Sequence, residues 1–266
     1  MKPTIKELKH ACQSKQALSR EFESWYTNNV SRKVSVYFTW VFVKLKIPVN
    51  YVSFLTFITG IISAILIATG KYYYVLAGAL LLQLWMIFDK CDGEVARYTK
   101  TCNLTGEYIE NVSHVIVNPL IFFCLGFGVY LNTNNLIYIW FGFLSAIGFA
   151  LASYVWVSKN AIWYNVAVRT GGKIKHNKSN KEKEEEKGFM NYILSLPKKL
   201  HNILGISLAM ILILIGSVFN YVNFTIIGYP VTILEFVIIF YGVAVPVGVL
   251  FLIFKSIRNR EVDEGF

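Results

Sequence analysis

The stretch "FDKCDGEVARYTKTCNLTGEYIENVSH", residues 88–114, sets Asp89, Asp92, Glu110 and His114 among the small residues Gly93, Ala96 and Gly106. On a helix at 100° per residue, Asp92, Gly93 and Ala96 fall within about 60° of Asp89, on one face. Steps of four from Gly106 carry Glu110 and His114 onto a single face as well. Small residues beside carboxylates let a ligand approach the backbone closely. An acidic cluster of this kind suits Mg²⁺ or Mn²⁺ holding a pyrophosphate. Cys91 points away from the carboxylate face, so a soft thiolate site does not compete. Arg97, one turn beyond Gly93, is placed to meet a phosphate or brace the carboxylates. Polar caps at helix ends would explain two isolated charges, but not a constellation of this length.

The elements that must position these residues belong to a membrane. A charge near the bilayer centre costs about 2.5 to 3.5 kcal/mol on insertion scales, so such groups usually serve a function. The chain is 55% hydrophobic and 16% aromatic, values extreme for a soluble protein and ordinary for a polytopic one. About six apolar runs approach the roughly 20 residues a spanning helix needs: Val49–Thr69, Tyr72–Phe88, Gly106–Tyr130, Leu136–Val157, Ile203–Tyr221 and Val231–Phe254. The second is expected to continue past the bilayer as a helix carrying Asp89 to Arg97. A short 98–105 connection then makes the second and third helices antiparallel neighbours whose polar faces can meet.

Charge sets the orientation. Every Lys and Arg except Lys71 lies in the N-terminal arm, the 89–105 loop, the 158–202 segment or the C-terminal tail. By the positive-inside rule these parts are cytoplasmic, in the cell membrane, with both termini and the carboxylate cluster on that side. The net charge of +10 reads as attraction to anionic membrane lipid. No nucleic-acid motif accompanies it, so no nucleic-acid partner is expected. Four cysteines show no zinc or CxxC spacing and read as free thiols.

The organisation expected is an all-α polytopic membrane protein with about six spans preceded by an interfacial amphipathic helix. Residues 1–47 form the cytoplasmic arm and interfacial helix, the latter over Val34 to Lys46. Residues 48–255 form one membrane domain, with a charged, mobile cytoplasmic loop over 170–188 and an amphipathic surface stretch after it. Residues 256–266 form a cytoplasmic tail. Pro48 and Asn50 mark the turn into the first span.

At Asp89, Asp92, Gly93, Ala96, Arg97 and Gly106 the chain resembles the CDP-alcohol phosphatidyltransferase family, whose signature is D-x-x-D-G-x-x-A-R, about eight residues, then G-x-x-x-D-x-x-x-D. "PVNYVS" stands where that family often shows Pro-Asn and a hydroxyl residue, and the resemblance plausibly extends over residues 20 to 255. It implies attack of an acceptor alcohol on a CDP-alcohol donor with release of CMP, in phospholipid or related lipid biosynthesis. It also implies a homodimer. Asp89, Asp92 and Glu110 would hold one or two divalent metals, with His114 as base or extra ligand. Gly93, Ala96, Gly106 and Asn50 would receive the donor, with Arg97 supporting that loop. The departures are Glu110 and His114, which replace the last two aspartates. Glutamate remains an oxygen ligand; histidine can accept a proton near neutral pH but is a less natural Mg²⁺ ligand, shifting preference towards Mn²⁺.

Two other readings use the same residues. A degenerate relative would bind nucleotide or lipid without turnover. A transporter would show broken helices with polar residues at mid-membrane, whereas Glu235 is the only acid in a later span. The acceptor, a lipid alcohol or a polyol phosphate, is not decided. A phosphorylated acceptor would want a basic pocket, for which Lys100, Lys159, Arg169, Arg32 and Lys33 are the candidates.

Overall fold

A computed structural model describes residues 4–14, 25–101, 104–169, 205–219, 223–226 and 229–258. The protein is an all-α polytopic membrane protein. Its helices are α1 (Ile5–Cys12), α2 (Arg32–Lys44), α3 (Val49–Ala68), α4 (Tyr72–Thr99), α5 (Leu104–Thr133), α6 (Ile137–Arg169), α7 (Ile206–Val218) and α8 (Ile233–Arg258). A π-helical turn, Thr27–Ser31, leads into α2.

Five of these, α3, α4, α5, α6 and α8, are long and apolar enough to cross a membrane. The sixth expected span, Ile203–Tyr221, is helical only over the 13 residues of α7 among the described residues. At 1.5 Å per residue that is about 20 Å, short of a hydrocarbon core of about 30 Å. An antiparallel hairpin, β1 (Asn223–Ile226) with β2 (Tyr229–Thr232), follows it; the apolar pattern there gave no hint of strands. The 170–188 loop and the amphipathic stretch after it lie outside the described residues.

Packing between spans rests on small residues, as expected where lipid supplies no hydrophobic contrast. The buried face of α3 is Val52, Ser53, Thr56, Gly60, Ser63, Ala64 and Ile67. Ser63 donates its hydroxyl to the Gly78 carbonyl of α4 at 2.7 Å, tying the two backbones together. Between α5 and α6 a Cβ added to Gly126 would lie 2.8 Å from the Gly142 Cα, so any side chain there would push the helices apart. Under this runs the core, in which Phe122 stacks on Phe149 with ring centroids 4.5 Å apart and meets Tyr241 at 5.2 Å.

The polar end of the molecule is built on α4. That helix stops at Lys100, whose left-handed backbone (φ 57) ends it. Among the described residues α4 and α5 are not the close neighbours expected, since both pack against α3 and meet each other through side chains such as Asp89 and His114. The N-terminal arm is not a free tail. A capping box between Thr4 and Glu7 starts α1, and Leu8 and Cys12 are buried with Val36 against Trp40, Val43 and Tyr98. Burial, then the nearby Glu94 charge, pushes the Cys12 thiol up to about 11, so it stays protonated and inert.

Candidate active site

Periodicity on α4 puts Asp89 and Asp92 on one face, and the Lys100 reversal brings the Glu110–His114 face of α5 opposite. The outcome is a cluster in which one ligand atom each from Asp89, Glu110 and His114 lies within 4.8 Å of the others. Asp89 is its centre. Its Oδ1 is 2.9 Å from His114 Nε2 and its Oδ2 is 2.9 Å from Lys90 Nζ. Imidazole and ammonium groups therefore both face a carboxylate whose side chain is 10% exposed.

His114 is held from below by Trp85, one turn deeper on α4, whose ring meets the imidazole edge-on at 5.7 Å. Trp85 is fully buried and cannot swing aside without disturbing the core.

Asp92 is not one of the three groups within 4.8 Å, but its carboxylate is near enough to Asp89 and Glu110 to feel both charges. It is 5% exposed and accepts a hydrogen bond from Ser53 at 3.3 Å on Oδ2 and from the Gly93 amide at 2.6 Å on Oδ1. The helical angle alone did not reveal that α3 offers it a hydroxyl. Gly93 is overlain by an arginine: a Cβ added there would sit 3.4 Å from Arg97 Nη1. Ala96 and Gly106 are half-buried on their helices. Asn50, in the first turn of α3, is exposed and lines a cavity of about 390 Å³ with Lys46, Val95, Thr99 and Thr101.

Among the candidate basic contacts, Arg32 is buried against Glu94 at 3.9 Å and does not face an acceptor, whereas Lys33 and Lys100 are exposed. Cys91 is buried with its thiol directed at the Ile87 and Ser35 carbonyls, away from the carboxylates.

Sequence reasoning passed over Glu94. It is 0% exposed and accepts hydrogen bonds from Gln13, Ser35 and Thr39. A signal for it existed: Arg32, Ser35 and Thr39, at i, i+3 and i+7, make a polar stripe on an α2 whose only other charges are Lys33 and Lys44 near its ends.

The donor set fits a hard dication. Ligands about 2.1 Å from such an ion lie at most about 4.2 Å apart, so a 4.8 Å cluster needs to close by only a few tenths of an ångström. Two carboxylates with one imidazole suit Mn²⁺ at least as well as Mg²⁺. A family model described as CDP-alcohol phosphatidyltransferase matches residues 47–234, a span containing the whole cluster. No curated protein matches the chain at a significant level.

Proposed function

The chain belongs to the CDP-alcohol phosphatidyltransferase family, and from that premise we propose that it transfers a substituted phosphate from a CDP-alcohol to an acceptor alcohol, releasing CMP. The observation that supports the reading best is the Asp89–Glu110–His114 cluster, built on residues 47–234 at the family's motif spacing. Lipid biosynthesis is the setting that such chemistry in a membrane protein favours.

In this reading Asp89 and Glu110 would hold a divalent cation, with Asp92 as a further oxygen ligand beside them. The cation would draw charge off the transferring phosphate and fix the donor's pyrophosphate against the acceptor. The chain's own residues do the rest. His114 Nε2 donates to Asp89, which leaves Nδ1 with the free lone pair. The acceptor hydroxyl attacks the phosphorus that bears the substituent, the bond to the CMP oxygen breaks, CMP leaves with that electron pair, and the hydroxyl proton passes to His114 Nδ1. Trp85 keeps the ring edge-on, so the proton acceptor does not have to be oriented at the moment of reaction. The cavity beside Asn50, which none of Asp89, Glu110 and His114 lines, would take the nucleotide only as a part of the donor remote from the reacting phosphate.

The test is CMP release by purified protein from a panel of CDP-alcohols, each with lipid-alcohol and polyol-phosphate acceptors, with Mg²⁺ or Mn²⁺. Release with one donor–acceptor pair, lost on chelation, is the expected result. A single specific observation favours the degenerate reading, namely that Glu110 and His114 replace the family's aspartates; nucleotide binding with no release from any pair would establish it.

The cluster is proposed to face the cytoplasm, because Lys71 is the only basic residue in the loops at the opposite ends of the spans. A cysteine placed at Lys71 should label from outside intact cells and one at Ser179 should not. Cys12, Cys91 and Cys124 are buried, and the labelling is done in a Cys102→Ser background so that no other native thiol competes. Equal labelling at both positions would sink this orientation.

A further inference from the structure

Glu94 lies about 140° round α4 from Asp89, on the back of the helix that carries the site. Its Oε1 accepts the Gln13 amide and the Ser35 hydroxyl, each at 2.7 Å, and its Oε2 accepts the Thr39 hydroxyl at 2.6 Å. Arg32 Nη1 stands 3.9 Å away. Gln13 also donates to the Arg32 carbonyl at 2.7 Å, and the Cys12 thiol donates to the Glu94 carbonyl at 3.2 Å. One carboxylate thus joins the end of α1, two turns of α2 and the end of α4.

Fully buried charge is a poor source of stability, since apolar replacements are often neutral or better. A fixed geometry is what the arrangement supplies. The need for it is local. Ser53 of α3 reaches Asp92, and α3 begins only four residues earlier, at Val49. From Asp89 to Thr99, α4 is held by Phe42 of α2 and Val52 of α3 packed with Phe88, Cys91 and Val95, and from behind by Leu8, Cys12, Val36 and Trp40 round Tyr98 and by the bonds to Glu94. A carboxylate stands about 6 Å from its helix axis, so a 20° rotation of those turns would move it by about 2 Å. Sites of this kind tolerate about 0.5 Å.

We propose that Glu94 is a positioning residue that clamps α1 and α2 to the back of α4, fixing the rotation of its last turns so that Asp89 and Asp92 face Glu110 and His114. The N-terminal arm is thereby part of the active-site framework. This rests on the metal reading above.

The test uses the full chain in detergent, with wild type, Thr39→Ser, Thr39→Val and the double variant Ser35→Ala/Thr39→Val. Mn²⁺ binding is followed by the paramagnetic resonance signal of free ion, and hydrogen exchange by peptides covering 93–99 and the interior of α3. Loss of hydrogen bonds to a charged group is typically worth at least a factor of ten. The double variant should therefore exchange about tenfold faster at 93–99 and bind Mn²⁺ about tenfold more weakly, with α3 unchanged. Thr39→Ser, which keeps the hydroxyl, should match wild type in both. If the double variant does not fold, Thr39→Val against Thr39→Ser makes the same comparison. Faster exchange at 93–99 with unaltered Mn²⁺ affinity overturns the positioning role, and unaltered exchange overturns the clamp. Wild-type protein that binds no Mn²⁺ overturns the metal reading itself, before any variant is compared.

Discussion

Asp89→Ala is expected to lower CMP release by at least about 10³-fold while the protein stays folded in detergent. Two losses combine in that one substitution. A carboxylate ligand disappears from the cluster, and His114 loses the oxygen 2.9 Å away that holds its Nε2–H. Removing one group that stabilises transition-state charge commonly costs 10²–10³ in rate, and a disoriented base adds to it. Lys90 would also be left beside the gap, a positive charge where a cation is meant to bind. Mn²⁺ binding should fall in step with turnover. Glu110→Ala and Asp92→Ala should likewise abolish release. Near-normal CMP release by Asp89→Ala in a steady-state assay would remove the foundation of the proposed mechanism.

His114→Ala should lose turnover by about 10²- to 10⁴-fold, the usual worth of a general base, while affinity for the CDP-alcohol changes less than about twofold. The split between kcat and donor binding is the informative part. A group that takes a proton only as attack begins adds nothing to the ground state. His114→Asp, which restores an oxygen base, should keep measurable activity. Wild-type turnover in His114→Ala would refute the base assignment. Weakened Mn²⁺ binding in that variant would instead make the imidazole a ligand.

Much of this architecture was legible because helices repeat every 3.6 residues. The spacing of Asp89, Gly106, Glu110 and His114 places polar groups on two faces, and the short turn at Lys100 makes those faces meet. Periodicity tells which residues share a face; it does not tell what stands opposite. That is why Asp92, on the same face as Asp89, has Ser53 of another helix as its partner, and why Arg32 faces inward to Glu94 instead of a substrate. The hairpin between α7 and α8 was hidden for a different reason. Asn223–Ile226 and Tyr229–Thr232 fall almost wholly in the loop expected between the last two spans, and a four-residue run carries no usable period.

The length of α4 has a consequence for the medium in which the carboxylates sit. Its 28 residues rise about 42 Å, some 12 Å more than a hydrocarbon core, so counted from Tyr72 Asp89 stands about 26 Å along it, just short of the core's edge, with Asp92 and Glu94 at and beyond that edge. On the proposed topology these acids would stand at the boundary of the headgroup layer, where dielectric constant climbs from that of oil towards that of water over a few ångströms. A charge there does not bear the penalty of the bilayer centre, which explains how so apolar a chain tolerates them. A lipid's phosphate rests at the same depth, so an amphiphile can present it to Asp89 by sliding sideways within its leaflet, its tails never leaving oil.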